Sequence, residues 1–339
     1  MMSKRIGKIG FGLVAALVLS TAGPTGTARA ADKVSMRLDW KLVGYQLPFF
    51  WAKEKGYYAK EGLDVDIKLG AGSGKTINLI GGQQDDIGFA DYMLTAVAAS
   101  KGMKVKGIMG VIQEGAWAVI SFADKPIKTP QELIGKSIAM TADHKPLFDL
   151  LLSINRIPAD KVSVKIVSPA TRNTVFANGN VDGFVSIVIG SPLEFVVRAK
   201  AGKGKPVHFM PFEKFGLSPL GQGVITNDQY ITAKPAVLEK FVRASSKAFT
   251  EVMKPENHDA AVAIGLKLSE TTPNAAAAVK LQLLESIPRF GTENTKGKPF
   301  GWMSEKDWAK SVDILVQTKK VDKPFPAQNL YTNKFIPQK

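Results

Sequence analysis

The sequence contains no cysteine among its 339 residues. Disulfide bridges are therefore excluded, and so is the cysteine through which a bacterial lipoprotein is anchored. A chain of this length can bury enough apolar surface to be stable without such bridges. We therefore expect a hydrophobic core to carry the stability, and we expect no lipid anchor.

Histidine is nearly as scarce, and little in the sequence suits a metal site or covalent catalysis. The three histidines are His144, His208 and His258, and no two of them have the spacing of a metal site. Ser73 lies in a glycine-rich stretch, but Ala71 replaces the first glycine of a nucleophile elbow. Loop capping is the favoured role, ahead of a calcium or acid–base role, for Asp85, Asp86 and Asp91. We predict no metal, no cofactor and no catalytic residue.

Only the start of the chain carries a long apolar run. Basic residues open the sequence, "IGFGLVAALVLSTAG" follows at 9–23, and the small-residue triplet "ARA" ends at residue 30. A positive start, a short apolar centre and a small-residue cleavage site are typical of a secretory signal peptide. We expect 1–30 to be removed near Ala30. The mature protein would then be exported, and without an anchor it would be retained in a periplasm.

The charge is strongly positive, with 45 basic and 30 acidic residues and a formal net charge of +15. The four basic residues of 1–30 leave with the signal, so the mature chain keeps 41 basic and 30 acidic residues, a charge of +11. The lysines are spread along the chain and are not interleaved with aromatic residues. This pattern favours a solvated basic surface and leaves an anionic ligand or membrane face open, but it does not indicate nucleic-acid binding.

Strand-like and helix-like segments alternate along the chain. "LDVDIKL" at 63–69 alternates with period two, whereas "LPFFWAKEKGYYAKEG" at 47–62 has the pattern of a helix closed by glycine. The middle repeats this alternation, and the last third is mostly helical, with one apolar face in "KPAVLEKFVRASSKAFTEVM" at 234–253. The sequence predicts an α/β class with parallel strand pairing and two α/β halves. Ligands of such sheets bind at the carboxyl ends of the strands, so we expect a site in the cleft between the halves.

The glycine-rich stretch "LGAGSGKTINLI" at 69–80 resembles a phosphate-binding loop but does not match it. That loop needs Gly-x-x-x-x-Gly-Lys-Ser/Thr, and Leu69 stands where its first glycine belongs. Gly70 is one residue too close to Gly74, so we predict no nucleotide hydrolase. The following helix would still present free N–H groups to an anion or a polar ring edge. A simple tight turn between strand and helix is the alternative.

An ordered series of segments between residues 33 and 120 resembles a known family. "RLDW", "PFFWAKEKGYYAKEGLDVDI", the glycine-rich stretch and "GGQQDDIGFAD" follow one another. The series is similar to the periplasmic substrate-binding proteins of ABC importers for thiamine pyrimidine precursors, nitrate, taurine and alkanesulfonates. Weaker similarity continues over most of the chain, as far as "LYTNKFIP" near its end.

The resemblance implies a type II periplasmic-binding fold, in which two α/β lobes joined by two crossing strands close on a ligand. A membrane permease would then recognise the closed state. The implied boundaries are 31–121 with 223–339 for lobe 1, 122–222 for lobe 2, and crossings near 118–123 and 221–226. The implied partners are a small-molecule ligand and an inner-membrane ABC permease, and we expect a monomer.

The resemblance also implies a set of ligand contacts. Trp40 stands where pyrimidine binders place an aromatic residue after the first strand, and its indole would stack on a planar ring. Trp117 would form the opposite wall, and Glu194 would pair with an amino group. For each aromatic residue, packing in the core is an equally good explanation. The predicted set is Trp40, Tyr45, Ser73, Gly74, Lys75, Thr76, Asp91, Tyr92, Trp117, Thr141, Asp143, His144, Ser186 and Glu194.

The nature of the ligand follows less directly. "KLVGYQLP" replaces the polar run that follows Leu-Asp-Trp in pyrimidine binders, so a pyrimidine is not implied. The predicted aromatic residues suit a flat ligand, while Lys75, Lys145 and the positive net charge suit an anion. We expect an aromatic or heteroaromatic compound, neutral or anionic. The alternatives are a ligand-presenting sensor and a pyrimidine synthase on the same fold, although that enzyme family carries a cysteine-rich motif which this sequence lacks.

Overall fold

The structure, a computed structural model, describes residues 30–142, 144–322 and 324–338. The predicted signal peptide lies outside these residues except for Ala30. The strands in the described part are β1 Asp32–Arg37, β2 Leu63–Lys68, β3 Ile87–Asp91, β4 Val105–Ile112, β5 Trp117–Phe122, β6 Ser137–Met140, β7 Ser163–Ile166, β8 Gly183–Ile187, β9 Val207–Pro211 and β10 Gln222–Asn227.

Helices connect most of these strands and form most of the last third of the chain, as the sequence predicts. They are α1 Leu47–Glu54, α2 Tyr57–Lys60, α3 Ser73–Gly81, α4 Tyr92–Ser100, α5 Lys145–Ile154, α6 Pro169–Ala177, α7 Pro192–Lys200, α8 Asp228–Ala233, α9 Pro235–Val252, α10 His258–Leu268, α11 Ala276–Ser286 and α12 Glu305–Gln317. The apolar face predicted for α9 is buried. None of the helices in the described part of the chain is long and apolar enough to cross a bilayer.

The strands form two sheets with the same arrangement, β2-β1-β3-β10-β4 and β7-β6-β8-β5-β9. The predicted parallel pairing is found for β1 with β2 and β3, and for β6 with β7 and β8. It is wrong for β10, which runs antiparallel between β3 and β4, and for β5, which runs antiparallel between β8 and β9. Both are strands by which the chain enters a sheet from the other one, so no crossover helix sets their direction.

The chain passes between the sheets at 113–116 and again at 212–221. The predicted first crossing at 118–123 needs correction, because Trp117 already pairs with Ile187 in the second sheet. The first lobe therefore ends before residue 117 and not at residue 121. The return strand β10 starts at Gln222, which pairs with Asp91 in the first sheet and so belongs to lobe 1.

Both sheets are buried on two faces, which gives each lobe a helix–sheet–helix layering. Neighbouring residues of one strand enter different apolar clusters because successive side chains point to opposite faces. In the first sheet the two faces are represented by Phe89 and Val224 on one side and by Ala90 and Ile225 on the other. In the second sheet the corresponding pairs are Val119 with Ile138 and Ile120 with Ala139. Because both faces are covered, the carboxyl ends of the parallel strands remain as the place for polar residues.

Candidate functional site

A cavity of about 750 Å³ lies between the two sheets and takes its walls from both. The first lobe contributes the residues that follow β1, the start of α3 and the end of β3. The second lobe contributes the start of β5, the loop after β6 and the end of β8. The carboxyl ends of strands are where α/β proteins bind ligands, and strand ends from both sheets thus face one cavity. Its volume is typical of a small-molecule site, for which the range is roughly 300–1,000 Å³.

Most of the predicted site residues line this cavity. They are Trp40, Tyr45, Ser73, Asp91, Trp117, Thr141, His144, Ser186 and Glu194. Gly74 and Lys75 lie on the exposed side of the first turn of α3. Asp143 lies outside the described residues, so its placement stays a prediction.

Two further predicted residues, Thr76 and Tyr92, are buried in the first lobe away from the cavity. The Oγ1 of Thr76 donates to the backbone oxygen of Leu38 at 2.9 Å and so ties α3 to the chain after β1. The hydroxyl of Tyr92 donates to the backbone oxygen of Met109 at 2.7 Å, and its ring lies 4.7 Å from that of Trp308. The resemblance implied Thr76 as part of the glycine-rich loop and Tyr92 as a residue that follows the third strand, but helix geometry turns both side chains into the core.

The glycine-rich turn before α3 has a structural task. Gly70 donates its N–H to the backbone oxygen of Trp40 at 3.1 Å, and Gly72 donates to that of Asp39 at 2.6 Å. A Cβ atom at Gly70 would lie 1.9 Å from the backbone oxygen of Leu38, and Gly72 has a φ of +116°. Only glycine fits such close approach and such a backbone angle. The turn therefore fixes the segment that carries Asp39 and Trp40.

The floor of the cavity on the side of the first lobe is a buried polar network. The carboxylate of Asp39, with 5% of the residue exposed, accepts hydrogen bonds from Gln46 Nε2 at 2.8 Å and Gln222 Nε2 at 2.7 Å. Burial raises the pKa of Asp39 to about 6, and the two amide hydrogen bonds only partly offset that effect. Burial and then the charge of Asp39 raise the pKa of Tyr45 well above its ordinary value. Tyr45 therefore stays protonated and neutral.

The opposite wall belongs to the second lobe and includes a pair of aromatic rings. The rings of Trp117 and His144 meet edge to face, with centroids 4.5 Å apart and planes at 74°. Thr141, with 4% of the residue exposed, directly follows β6, and its Oγ1 has no hydrogen-bond partner in the described part of the chain. A ligand in the cavity could pair with this hydroxyl, which donates and accepts.

A buried arginine adds positive charge to the same side. Arg172 of α6 lines the cavity, and its guanidinium donates to Ser191 Oγ at 3.4 Å. The same group lies 5.4 Å from the ring centre of Phe184. The resulting wall combines flat apolar surface with the positive charge of Arg172.

Two direct contacts join the lobes beside the cavity. Lys41 Nζ lies 3.2 Å from Glu194 Oε1 in an exposed ion pair, and the contact of Glu194 with a ligand amino group stays a prediction. Gln282 accepts from Gly44 N at 3.1 Å and donates to the backbone oxygen of Gly190 at 3.2 Å. In this structure the lobes are therefore held together across the cleft.

Sequence reasoning missed Asp39, Gln222 and Arg172 as lining residues. Asp39 stands directly before Trp40 in "RLDW", and Gln222 lies in "GQGVITN", so both were in segments that carry the family resemblance. Nothing in the sequence indicates that these two residues meet, because they are 183 positions apart. Arg172 lies in "TRNTVFANGN", where its side chain gave no signal.

Comparison with protein families gives a match over residues 44–258 to the model described as NMT1/THI5 like. The chain belongs to the NMT1/THI5-like family. This membership agrees with the resemblance seen in the sequence.

Several characterised proteins align with most or nearly all of this chain. The riboflavin-binding protein RibY of Chloroflexus aurantiacus is 22% identical and covers 99% of both chains. The formylaminopyrimidine-binding protein of Halalkalibacterium halodurans is also 22% identical, over 95% of this chain and 97% of its own. A 4-amino-5-hydroxymethyl-2-methylpyrimidine phosphate synthase of Schizosaccharomyces pombe is 24% identical over 66% and 67% of the two chains.

Solved structures share the two-lobed architecture. The alkanesulfonate-binding protein SsuA from Xanthomonas axonopodis pv. citri, solved with MOPS, superposes with a TM-score of 0.66 at 14% identity, over 89% of this chain and 99% of its own. At this identity the similarity shows the fold, which is that of periplasmic binding proteins. The predicted fold class is confirmed.

Proposed function

We propose that the protein is the periplasmic solute-binding component of an ABC import system and that it captures a planar heteroaromatic molecule. The molecule would lie between the lobes and be delivered to a permease in the inner membrane. The observation that carries the proposal is the cavity of about 750 Å³ with Trp40 on the first lobe and Trp117 on the second. A ligand that touches both lobes stabilises the state in which they are closed, and this is how such proteins report occupancy.

The size and lining of the cavity support a flat organic ligand over a small inorganic one. Nitrate or a short sulfonate would leave most of this volume to water, whereas pockets of this size usually enclose drug-sized molecules. Indole and imidazole rings offer flat apolar surface for stacking. Arg172 and Thr141 supply a few polar contacts, as such sites usually have.

The relatives support the same ligand class. The two binding proteins that align over nearly the whole chain are named for riboflavin and formylaminopyrimidine, both heteroaromatic solutes. The fungal synthase supports a second candidate, an enzyme of pyrimidine synthesis, but it aligns over a smaller share of the chain. We favour binding without turnover. Export through cleavage near Ala30 and a monomeric state belong to the same proposal.

Isothermal titration calorimetry on the purified protein tests the proposal. Riboflavin, formylaminopyrimidine, propanesulfonate and nitrate would be titrated in turn, and each mixture would then be analysed by mass spectrometry for chemical change. We expect at least one of the two heterocycles to bind, no comparable binding of propanesulfonate or nitrate, and no conversion. Tight binding of nitrate alone, or conversion of a heterocycle to a product, would contradict the proposal.

Tryptophan variants locate the site. Trp40→Ala and Trp117→Ala should each weaken binding of the heterocycle about 5- to 150-fold, because an aromatic stacking contact is worth about 1–3 kcal/mol. Trp302→Ala is the matched control, since Trp302 is half-buried beside Lys298 outside the cavity lining of the described residues. Equal effects of all three substitutions would indicate general destabilisation and would place the ligand elsewhere.

A further inference from the structure

One amide in the cavity has a buried oxygen without a partner. Gln222, with 8% of the residue exposed, is the first residue of β10 and lines the cavity. Its Nε2 donates to Asp39 at 2.7 Å, while its Oε1 has no hydrogen-bond partner among the described residues. Buried amide oxygens are almost always paired in folded proteins, so an unpaired one needs a physical reason.

The carboxylate of Asp39 decides which end of the amide faces the cavity. With a pKa of about 6, Asp39 is ionised at neutral pH, and an ionised carboxylate only accepts hydrogen bonds. Both neighbouring amides must therefore turn their Nε2 groups toward it. The Oε1 of Gln222 is thereby held in one orientation at the cavity floor, where it can only accept a hydrogen bond.

The second amide of the network shows the difference. Gln46 also donates its Nε2 to Asp39, but its Oε1 accepts the backbone N–H of Val43 at 3.1 Å. Gln46 is completely buried and is not among the described residues that line the cavity. Of two amides oriented by one carboxylate, the satisfied one is paired with backbone, and the unsatisfied one lines the cavity.

We propose that Gln222 Oε1 selects ligands that carry an N–H donor at the edge of the ring. The substrate class would be heterocycles with a lactam or imide N–H or an amino substituent, and rings in which every such N–H is alkylated would be rejected. The inference rests on the proposed function and adds the identity of the selecting atom. Tyr45 lies beside the same amide, and its ring stacks on that of Phe89 with centroids 5.7 Å apart. The N–H edge of a bound ring would therefore meet a rigid part of the first lobe.

Matched pairs of small probes test this selection. Uracil is compared with 1,3-dimethyluracil, and 4-aminopyrimidine with 4-dimethylaminopyrimidine, by NMR titration of the purified protein. In each pair the N–H compound should bind about 5- to 150-fold more tightly, the range expected when a buried acceptor is left unpaired. Similar affinity within both pairs would overturn the inference but leave the proposed function standing. Failure of all four probes to bind would overturn the inference, whereas the proposed function is decided separately by the calorimetric titrations of riboflavin and formylaminopyrimidine.

Variants identify the atom. Gln222→Met should bring the affinity ratio within each pair close to one. Gln113→Met is the matched control, because Gln113 is also buried with an unpaired Oε1 but donates its Nε2 to Phe290 and lies outside the cavity lining of the described residues. It should keep the wild-type ratio. Folding of both variants is checked by circular dichroism, and an unchanged ratio in folded Gln222→Met would overturn the inference.

Discussion

On the first-lobe side of the cavity, backbone and side-chain hydrogen bonds hold Asp39 and Trp40 from several directions. On the second-lobe side, the hydroxyl of Thr141 has no partner among the described residues, and the rings of His144 and Trp117 meet edge to face. The first side is thus organised before a ligand arrives, apart from the Oε1 of Gln222. On the second side, the Oγ1 of Thr141 has no partner among the described residues and would gain one when a ligand binds.

The difference suggests an order of events. A ligand that meets a preorganised surface loses less free energy to the ordering of side chains, so first contact with the first lobe is favoured. Closure of the second lobe would then complete the hydrogen bonds, and binding energy would be coupled to the closed state. Substitutions on the first side should therefore change folding and binding together, whereas substitutions on the second side should change binding with little effect on folding.

The largest loss of stability is expected from Gly70→Ala, which disrupts the turn that holds Asp39 and Trp40 on the first-lobe side. The new Cβ would lie 1.9 Å from the backbone oxygen of Leu38, so the turn and the segment with Asp39 and Trp40 must move. We expect a loss of unfolding free energy of about 3 kcal/mol or more, at the upper end of common single substitutions. Chemical denaturation measures it.

Gly74→Ala is the control in the same turn. No heavy atom lies within 4 Å of a Cβ placed at Gly74, and the residue is in the first turn of α3. Because alanine favours helix over glycine, the variant should be unchanged or up to about 1 kcal/mol more stable. Equal destabilisation by the two substitutions would show that the turn does not support the first side as described.

Asp39→Asn should change the free energy of unfolding by a smaller amount and in the opposite direction, that is, it should stabilise the protein at neutral pH. Burial raises the pKa of Asp39 from 3.8 to about 6, so the folded state binds this proton more tightly than the unfolded state. The contribution of Asp39 to stability is therefore greatest below pH 4 and is lost as the pH rises through 6. The difference corresponds to about 3 kcal/mol at most. Asparagine removes the buried charge, so the variant should be more stable than wild type at pH 7.5.

The pH dependence of that gain is the decisive measurement. At pH 4.5 most of the wild-type carboxyl is protonated and resembles asparagine, so the gain should shrink. Other carboxylates, such as Asp85 and Glu251, have lowered pKa values and lose stability in acid, but they are common to both proteins and cancel in the difference. A gain that is constant between pH 7.5 and 4.5 would mean that Asp39 is not a buried charge.

The contrast between the two sides also shows what sequence could reveal. The alternation of segments and the family resemblance predicted two α/β lobes and placed Trp40 and Trp117 at one cavity. Such predictions are possible because the sequence patterns on which they rest are local and extend over one strand and the loop beside it. The pairing of Asp39 with Gln222 depends on the antiparallel strand β10 returning between β3 and β4, which local patterns do not encode. The predicted contact Tyr92 is a core residue because helix geometry turns its side chain into the first lobe, and the strand end that precedes it does not indicate this.

The smallest effect concerns two buried threonines, one in each lobe. Thr76 Oγ1 donates to Leu38, whereas Thr141 Oγ1 has no partner in the described chain and lines the cavity. Valine keeps the shape of threonine and removes the hydroxyl. Thr76→Val should lose about 1 kcal/mol of unfolding free energy, the usual net value of a hydrogen bond, because the buried oxygen of Leu38 also loses its donor.

Thr141→Val should leave stability unchanged or slightly higher, since no hydrogen bond to a described residue is lost and a buried hydroxyl is replaced by a methyl group. Its affinity for a bound heterocycle should fall about two- to tenfold, the value of one neutral hydrogen bond. Denaturation and calorimetry on the same preparations separate the two effects. If Thr141→Val were destabilised as much as Thr76→Val and bound ligand normally, the second-lobe wall would be an ordinary packed surface, and the proposed order of contact would lose its basis.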